Sequence, residues 1–549
     1  MSSITTSTID TPLRRSVERT CDDLAILVLA AVGLIASLTF RDYGLGWDDY
    51  TQAQYGDLLI EFYKSGFSDQ RALSFVNLYM YGGGFDMAAA LLAKVMPFAL
   101  FETRRLLGAI VGIIGLVVTW RLARRVGGPL AGLFALVLLA TCPLYYGHMF
   151  MNPKDAPFAA AMIVLLLGLV RAFDEYPAPG WRSLALVGVA LGAAFGSRVL
   201  AALAAPAAAA ALALIVAADA RADDWRTAGA RLWQFVRRCL PALALAYVIM
   251  AVLWPWSVLW PFNPVYAALY FDTFFEKPWK ELYDGVLIAV PDMPWTYLPH
   301  LIVLKLPEIM LVLGGAGMIG ALVAATRRDV APTRRAGLLI VVLAVVLPVA
   351  IAVVTRPALY NGIRQFLFIV PPFAVLGGLA AGWLITRAAA HGRAALAAIA
   401  AVFVVGLAVP VAGMVRLHPY EYVYFNPLGG GVRGADGRYM LDYWGLAFKQ
   451  AADELRAHLA TGADHPPPGR RWVVAICGPQ ASAEVELGPQ FETTFDKKKA
   501  DFALALGTFY CRHLQAPIIA EVRRDGVLFA TVYDFRNVLP EKLLTVPPP

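Results

Sequence analysis

The sequence predicts a membrane all-α protein of about eleven transmembrane helices, with interfacial helices in its first outer loop and a small C-terminal α/β soluble domain. Three observations predict it. Of the 549 residues, 59% are hydrophobic and only 16% charged, against about a quarter charged in an ordinary soluble protein. Apolar runs recur as far as Val415, with Arg clusters between alternate pairs of them. After Leu417 the chain turns polar and carries short strand-like runs instead.

The first apolar run, 24–40, follows a polar segment bearing Arg14, Arg15 and Arg19 and lacks a small-residue cleavage site. It predicts a retained span with a cytoplasmic N-terminus. Further spans are expected at 106–120, 130–146, 157–170, 184–196, 200–217, 239–256, 301–324, 338–354, 366–385 and 396–415. The loops alternating to the cytoplasmic side hold Arg121, Arg124 and Arg125, then Arg226, Arg231, Arg237 and Arg238, then Arg327, Arg328, Arg334 and Arg335. This positive-inside asymmetry places everything after Leu417 outside the cytoplasm. The net charge of +7 is thus explained by topology, and no basic, aromatic-interleaved groove motif points to nucleic acid. The expected divisions are a cytoplasmic segment 1–22, a transmembrane domain 23–418 and an extracytoplasmic domain 419–549, in a multi-pass protein of the cytoplasmic (inner) membrane.

Two outer loops are long. In 41–105, Tyr55, Leu58, Leu59, Phe62 and Tyr63 stand at helical spacing, and 87–100 is a second apolar piece too short to span. Both are expected to lie in or near the interface. The loop 257–299 is rich in Trp, Tyr, Phe and Pro, as an interfacial belt is. In the tail, 443–459 has an amphipathic helix pattern and 472–476, 501–506, 518–522 and 528–533 read as strands, the last two joined as a hairpin across Arg524-Asp525-Gly526. Cys477 and Cys511 each close or follow one of these strands. Parallel neighbours would bring their C-terminal ends together outside the reducing cytoplasm, so a Cys477–Cys511 disulfide is expected. Cys21, Cys142 and Cys239 fall in or beside spans and are expected to be packing residues.

The motifs come in a telling order. One span opens into an outer loop with Gly46-Trp47-Asp48-Asp49-Tyr50; Arg104-Arg105 leads the next span, which ends in Arg121, Arg124 and Arg125; the following outer loop reads Asn152-Pro153-Lys154-Asp155-Ala156-Pro157. This arrangement resembles the GT-C membrane glycosyltransferases, in the branch of the protein O-mannosyltransferases and the lipid A aminoarabinose transferase. The resemblance covers about residues 20 to 420. It implies a GT-C-like fold, a polyprenyl-phosphate-linked sugar donor and transfer at the outer face of the membrane to a glycan, lipid or protein acceptor.

By position, the resemblance makes Asp48 and Asp49 the catalytic acidic pair, with Asp48 favoured as the base that removes the acceptor's proton. The plainer reading is that a carboxylate before a helix caps its free N–H groups. Asp155 is a second catalytic acid by resemblance, where it can orient the acceptor or hold a divalent cation against the phosphate. It can equally cap the span it begins, and His148 is the other candidate metal ligand. No cofactor is assigned, and a divalent cation is left open. An anionic phosphate needs cations at the outer interface. Arg198 and Arg364 stand on the side that positive-inside logic disfavours, which makes them phosphate-binding candidates beside Lys154, with Arg105 and Lys277 weaker ones. The alternative for each is snorkelling to lipid headgroups. Where the aminoarabinose transferase has an acidic–Lys–Pro–Pro stretch, this chain has Tyr81-Gly82-Gly83-Gly84-Phe85-Asp86, so Tyr81 and Asp86 are the acceptor- or sugar-binding candidates. A polytopic transporter or lipid flippase is the alternative function; it predicts charges at mid-span, whereas the acids here gather in outer loops.

Overall fold

The computed structural model describes residues 12–273, 279–462, 464–511 and 515–538. Lys277 lies outside the described residues, as do residues 1–11 of the N-terminal segment. The first helix, α1 (Pro12–Thr39), buries Cys21, Ala25, Val32 and Ala36 and leaves Leu27, Leu34 and Leu38 outward. Those buried positions recur on one helical face, and the outward leucines suit lipid. Its N-terminal part is tied to the bundle by Asp22, which receives two hydrogen bonds from Arg124, at 2.7 and 2.8 Å.

The long loop after α1 forms the expected helix, α2 (Asp49–Lys64), whose Tyr55, Leu59 and Phe62 pack on Ala72 and Leu78. The second apolar piece is helical only over α3 (Gly84–Leu92). Then come α4 (Leu100–Gly127), α5 (Pro129–Ala140), α6 (Pro143–Met151), α7 (Asp155–Asp174), α8 (Trp181–Phe195), α9 (Ala204–Ala222) and α10 (Trp225–Leu253). After α11 (Asn263–Thr273), strands β1 (Lys280–Tyr283) and β2 (Val286–Ala289) form an antiparallel hairpin. Its two-residue turn, Asp284-Gly285, has φ of 50° and 81°, the left-handed pair that joins twisted strands without splaying them. The bundle is completed by α12 (Tyr297–Lys305), α13 (Glu308–Thr326), α14 (Pro332–Thr355), α15 (Val370–His391) and α16 (Arg393–Leu417).

Nine helices among the described residues are long and apolar enough to cross a membrane, or ten with the bent pair α5–α6, so this is a multi-pass membrane protein. Eleven were expected. The expected span 130–146 is broken at Cys142-Pro143 and bends by 63°, because Pro143 has no N–H to continue the α5 ladder and starts a new helix instead. The expected span 184–196 is the 15-residue α8, and 301–324 is divided between α12 and α13 at Leu306-Pro307.

The tail holds α17 (Gly431–Ala435), α18 (Ala447–Thr461), β3 (Trp472–Cys477), α19 (Gln480–Leu487), β4 (Phe491–Thr494), β5 (Phe502–Leu506), β6 (Ile518–Arg524) and β7 (Val527–Asp534). The sheet order is β4-β3-β5-β7-β6, with β3 parallel to β4 and β5 and the β6–β7 hairpin antiparallel. Because β3 and β5 are parallel neighbours, Cys477 and Cys511 meet beyond their C-terminal ends and form a disulfide, with Cα atoms 5.8 Å apart. The amphipathic helix begins at Ala447 rather than Tyr443, since Asp442 caps it by accepting hydrogen bonds from the Leu446 and Ala447 N–H groups, both at 3.0 Å. Segment 419–446 bridges the sheet and the bundle: the Tyr420 ring meets Phe529 of β7 at 5.1 Å, and Asn426 donates to the carbonyls of Val303 and Leu306 at 2.6 and 2.8 Å.

Helix α15 is the most enclosed of the apolar spans, and glycine lets α13 lie against it. A Cβ on Gly317 would run into the Leu376 carbonyl, whereas one on Gly315 meets nothing within 4 Å. Gly317→Ala should therefore lower stability by about 1–3 kcal/mol, with Gly315→Ala neutral or slightly stabilising. Thermal unfolding of the two purified variants checks this, and equal midpoints would contradict the packing.

A candidate anion-binding active site

The site gathers where chain ends of several helices meet. Asn152 starts α7: its side-chain oxygen accepts from the Asp155 N–H at 2.8 Å and the Lys154 N–H at 3.2 Å. The expected cap, Asp155, is thereby released for another task. Its carboxylate, 1% exposed, meets Arg198 at 2.6 Å and Arg364 at 3.3 Å, and accepts from Asn152 at 2.8 Å. Arg198 follows α8 and Arg364 stands in the 3-10 turn Arg364–Ile369 before α15. The two arginines singled out for their disfavoured side of the membrane therefore share one buried carboxylate. Neither snorkels: they are 8% and 4% exposed. The Nε atoms of both are buried without a hydrogen-bond acceptor, leaving donors unspent.

Arg364 is further held between the rings of Tyr360 and Trp444, at 5.0 and 5.1 Å. Lys154 places its ammonium 4.6 Å from the centre of the Tyr81 ring, and Arg198 lies 5.6 Å from the same ring. Tyr81 thus forms an aromatic wall beside the cations. Burial lowers the Lys154 ammonium below its usual range, while the Asp48 carboxylate pulls the other way.

Asp48 and Asp49 part company. Asp49 accepts from the Gly46 N–H at 2.8 Å and lies 3.7 Å from Arg104, so it shapes the loop. Asp48 stands at the start of α2 without a capping hydrogen bond. It is half-buried and its charge reaches Lys154, Arg364, Tyr81 and Tyr360, so it stands beside the cationic cluster. Asp86 is paired with Arg104: it is 4% exposed and receives a 2.7 Å hydrogen bond from that guanidinium, while its charge also reaches Lys154. Arg105 turns toward the tail, 4.0 Å from Glu486.

The residues do not offer a metal set. His148 is fully buried, with one ring nitrogen 3.1 Å from Asn152 and the other 3.4 Å from the Tyr443 hydroxyl. Asp155 is already occupied by two guanidinium groups, and among the described residues no three His, Cys, Asp or Glu side chains converge.

Two contributors escape a reading of the sequence. Trp444 sits in the linker to α18, with nothing local to mark it. Glu281 is a lone acid in the aromatic loop, yet it is 4% exposed and accepts hydrogen bonds from the Asn361 N–H at 3.0 Å and the Tyr297 hydroxyl at 3.1 Å. Tyr297 in turn accepts from the Gly362 N–H at 3.0 Å. Asn361 and Gly362 take φ of 56° and 71°, so the hairpin strand β1 pins the left-handed turn that delivers Arg364. The signal that could have found it is Asp284-Gly285, a hairpin turn that fixes Glu281 on a strand.

Burial pushes the Glu281 carboxyl up to about 7, against the opposing pull of its hydrogen bonds and Arg364. A folded value above the unfolded one means its contribution is fully present below about pH 4.5 and lost as pH rises through about 7. Across that window wild type should lose thermal stability relative to Glu281→Gln. Parallel unfolding curves for the two proteins would contradict the assignment.

Residues 85–260 match the family model described as Dolichyl-phosphate-mannose-protein mannosyltransferase. No curated protein matches the chain. Among solved structures the chain is similar to ArnT from Cupriavidus metallidurans bound to undecaprenyl phosphate, at 16% identity and a TM-score of 0.46, over 92% of this chain and 97% of that one. It is also similar to the archaeal oligosaccharyltransferase AglB from Archaeoglobus fulgidus in complex with an inhibitory peptide and a dolichol-phosphate. There the identity is 13% and the TM-score 0.48, over 89% of this chain and 70% of that one. The stretch matched by the family model takes in Asp86, Arg104, Lys154, Asp155 and Arg198. Over that stretch it bears out the resemblance to the GT-C membrane glycosyltransferases that the sequence motifs carry.

Proposed function

We propose that this chain is a glycosyltransferase that moves a sugar from a polyprenyl-phosphate donor to an acceptor at the outer face of the cytoplasmic membrane. The observation that carries the reading is the buried pair Arg198 and Arg364, locked on Asp155 with their Nε donors unspent. Buried donors without acceptors are costly and rare, and a phosphate oxygen supplies what they lack. Lys154 adds a third cation beside Arg198 and Arg364, within reach of Asp48 and Asp86. An apolar pocket lined by Leu166, Leu203, Ala207, Ile340, Ala344 and Phe368 lies among α7, α9, α14 and α15, of which α9 and α15 follow the turns at Arg198 and Arg364.

The chemistry is a single displacement. Asp48 takes the proton from the acceptor's hydroxyl or amine as that atom forms its bond to the anomeric carbon. The bond from the anomeric carbon to the phosphate oxygen breaks, and the polyprenyl phosphate leaves with the electron pair. Arg198, Arg364 and Lys154 hold the charge that develops on it. One displacement inverts the anomeric centre. Asp49 keeps the loop in shape through Gly46 and Arg104, and Tyr81 lines the space for the sugar. Domain 23–418 carries the membrane bundle and the basic cluster, while domain 419–549, outside the cytoplasm, adds Trp444 to the same site.

Asp48→Asn keeps the shape and removes the basicity, so turnover should fall about a hundredfold or more with donor affinity little changed. Arg364→Ala should weaken donor binding and turnover together, because it also uncovers the Asp155 carboxylate. Steady-state transfer assays in proteoliposomes read both. Undiminished turnover in Asp48→Asn would remove Asp48 as the base, and undiminished donor affinity in Arg364→Ala would remove the phosphate site.

A further inference from the structure

The loop that carries Asp48 is held by the opposite end of the chain. The Leu45 N–H donates to the Glu486 carboxylate at 2.8 Å, and the Ser482 hydroxyl donates to the Gly46 carbonyl at 2.9 Å. Both tail residues belong to α19. Glu486 also faces Arg105 on α4 at 4.0 Å, and Ser482 is fully buried. Below the loop, Gly44 lies so close to the 446 peptide that a Cβ would run into the Leu446 carbonyl, and a Cβ on Gly46 would touch the Trp444 ring at 3.8 Å. Trp444 is the residue that covers Arg364. It is itself fixed between Asp442 and the capped first turn of α18, where Tyr422 also donates to Asp442.

We infer that the C-terminal domain is a positioning device for the active site, in which Glu486 and Ser482 set the base-bearing loop and Trp444 sets Arg364. The inference deepens the glycosyltransferase reading and rests on it for the roles of Asp48 and Arg364. Two backbone groups of the loop, one donor and one acceptor, are satisfied by adjacent turns of a single helix. That pairing fixes the loop in direction as well as in place. The same domain face therefore spans the base on one side and the leaving-group cation on the other. Glu486 touches no reacting atom; it is a positioning residue. Catalytic geometry of this kind tolerates displacements of well under about an ångström, so loosening the latch costs turnover before it costs donor binding.

The test uses the full chain in proteoliposomes with Glu486→Ala, Glu486→Gln and Ser482→Ala. The Gln side chain still accepts from the Leu45 N–H, while Ala does not. Backbone hydrogen exchange over residues 44–50 should quicken about tenfold or more in Glu486→Ala and stay near wild type in Glu486→Gln, with β3 and α7 unchanged in both. Transfer from a polyprenyl-phosphate sugar should show kcat reduced about tenfold or more in Glu486→Ala with donor KM within about twofold. If Glu486→Ala loosens β3 as well, Ser482→Ala decides, with faster exchange confined to 44–50 as the expected result. Unchanged exchange over 44–50 in the folded variants, or a loss expressed only in donor KM, overturns the inference. Absence of any transfer by wild type would instead overturn the glycosyltransferase reading, and the exchange data would still decide the latch.

Discussion

Burying Asp155 between Arg198 and Arg364 is the constraint on which the rest of the site depends. A lone carboxylate with 1% exposure would be prohibitively costly, and two guanidinium groups make it tolerable. In return the carboxylate draws three separate elements to one point: the start of α7, the end of α8 and the turn before α15. Removing Asp155 would leave the two buried guanidinium groups without their shared carboxylate. The pairing is also unbalanced, because two guanidinium groups share one carboxylate and Lys154 stands nearby over Tyr81.

Around that centre the chain uses distant segments to set what the helices alone cannot. The hairpin β1–β2 holds the left-handed turn at Asn361-Gly362 through Glu281, which orients Arg364. The tail holds the loop at Leu45-Gly46 through α19, which orients the start of α2 and hence Asp48. Asn152, by capping α7, frees Asp155 from the backbone. Each device is a hydrogen bond to main chain, whose N–H and C=O groups need partners when buried.

Much of this was legible in the sequence, for physical reasons that also mark where legibility ends. Long apolar runs between Arg clusters identify spans because the bilayer demands them, yet they do not disclose where Pro143 and Pro307 break a run into two helices. The four tail strands were readable by alternation, whereas β4, over Phe491–Thr494, is too short and polar to stand out. Arg198 and Arg364 were readable as cations on the side that the positive-inside reading disfavours, because charge placement is a local property. Their common partner was not, since the Asp155–Arg364 contact joins residues 209 apart in sequence. The Ser482–Gly46 bond spans 436 residues, beyond any periodicity or spacing argument. The acidic pair was readable as a pair, but only packing tells Asp49, tied to Gly46 and Arg104, from Asp48, left open to the cations.

The account's central claim is that the basic cluster receives the phosphate of a lipid-linked sugar and that the sugar–phosphate bond is broken there. The direct measurement presents wild-type protein in sealed proteoliposomes with a panel of polyprenyl-phosphate sugars, labelled in the sugar, and follows the chemical form of the label. The account predicts acceptor-dependent release of free polyprenyl phosphate, with the label appearing on the acceptor with inverted anomeric configuration. Movement of intact labelled lipid between leaflets, with the sugar–phosphate bond unbroken for every donor in the panel, would contradict it.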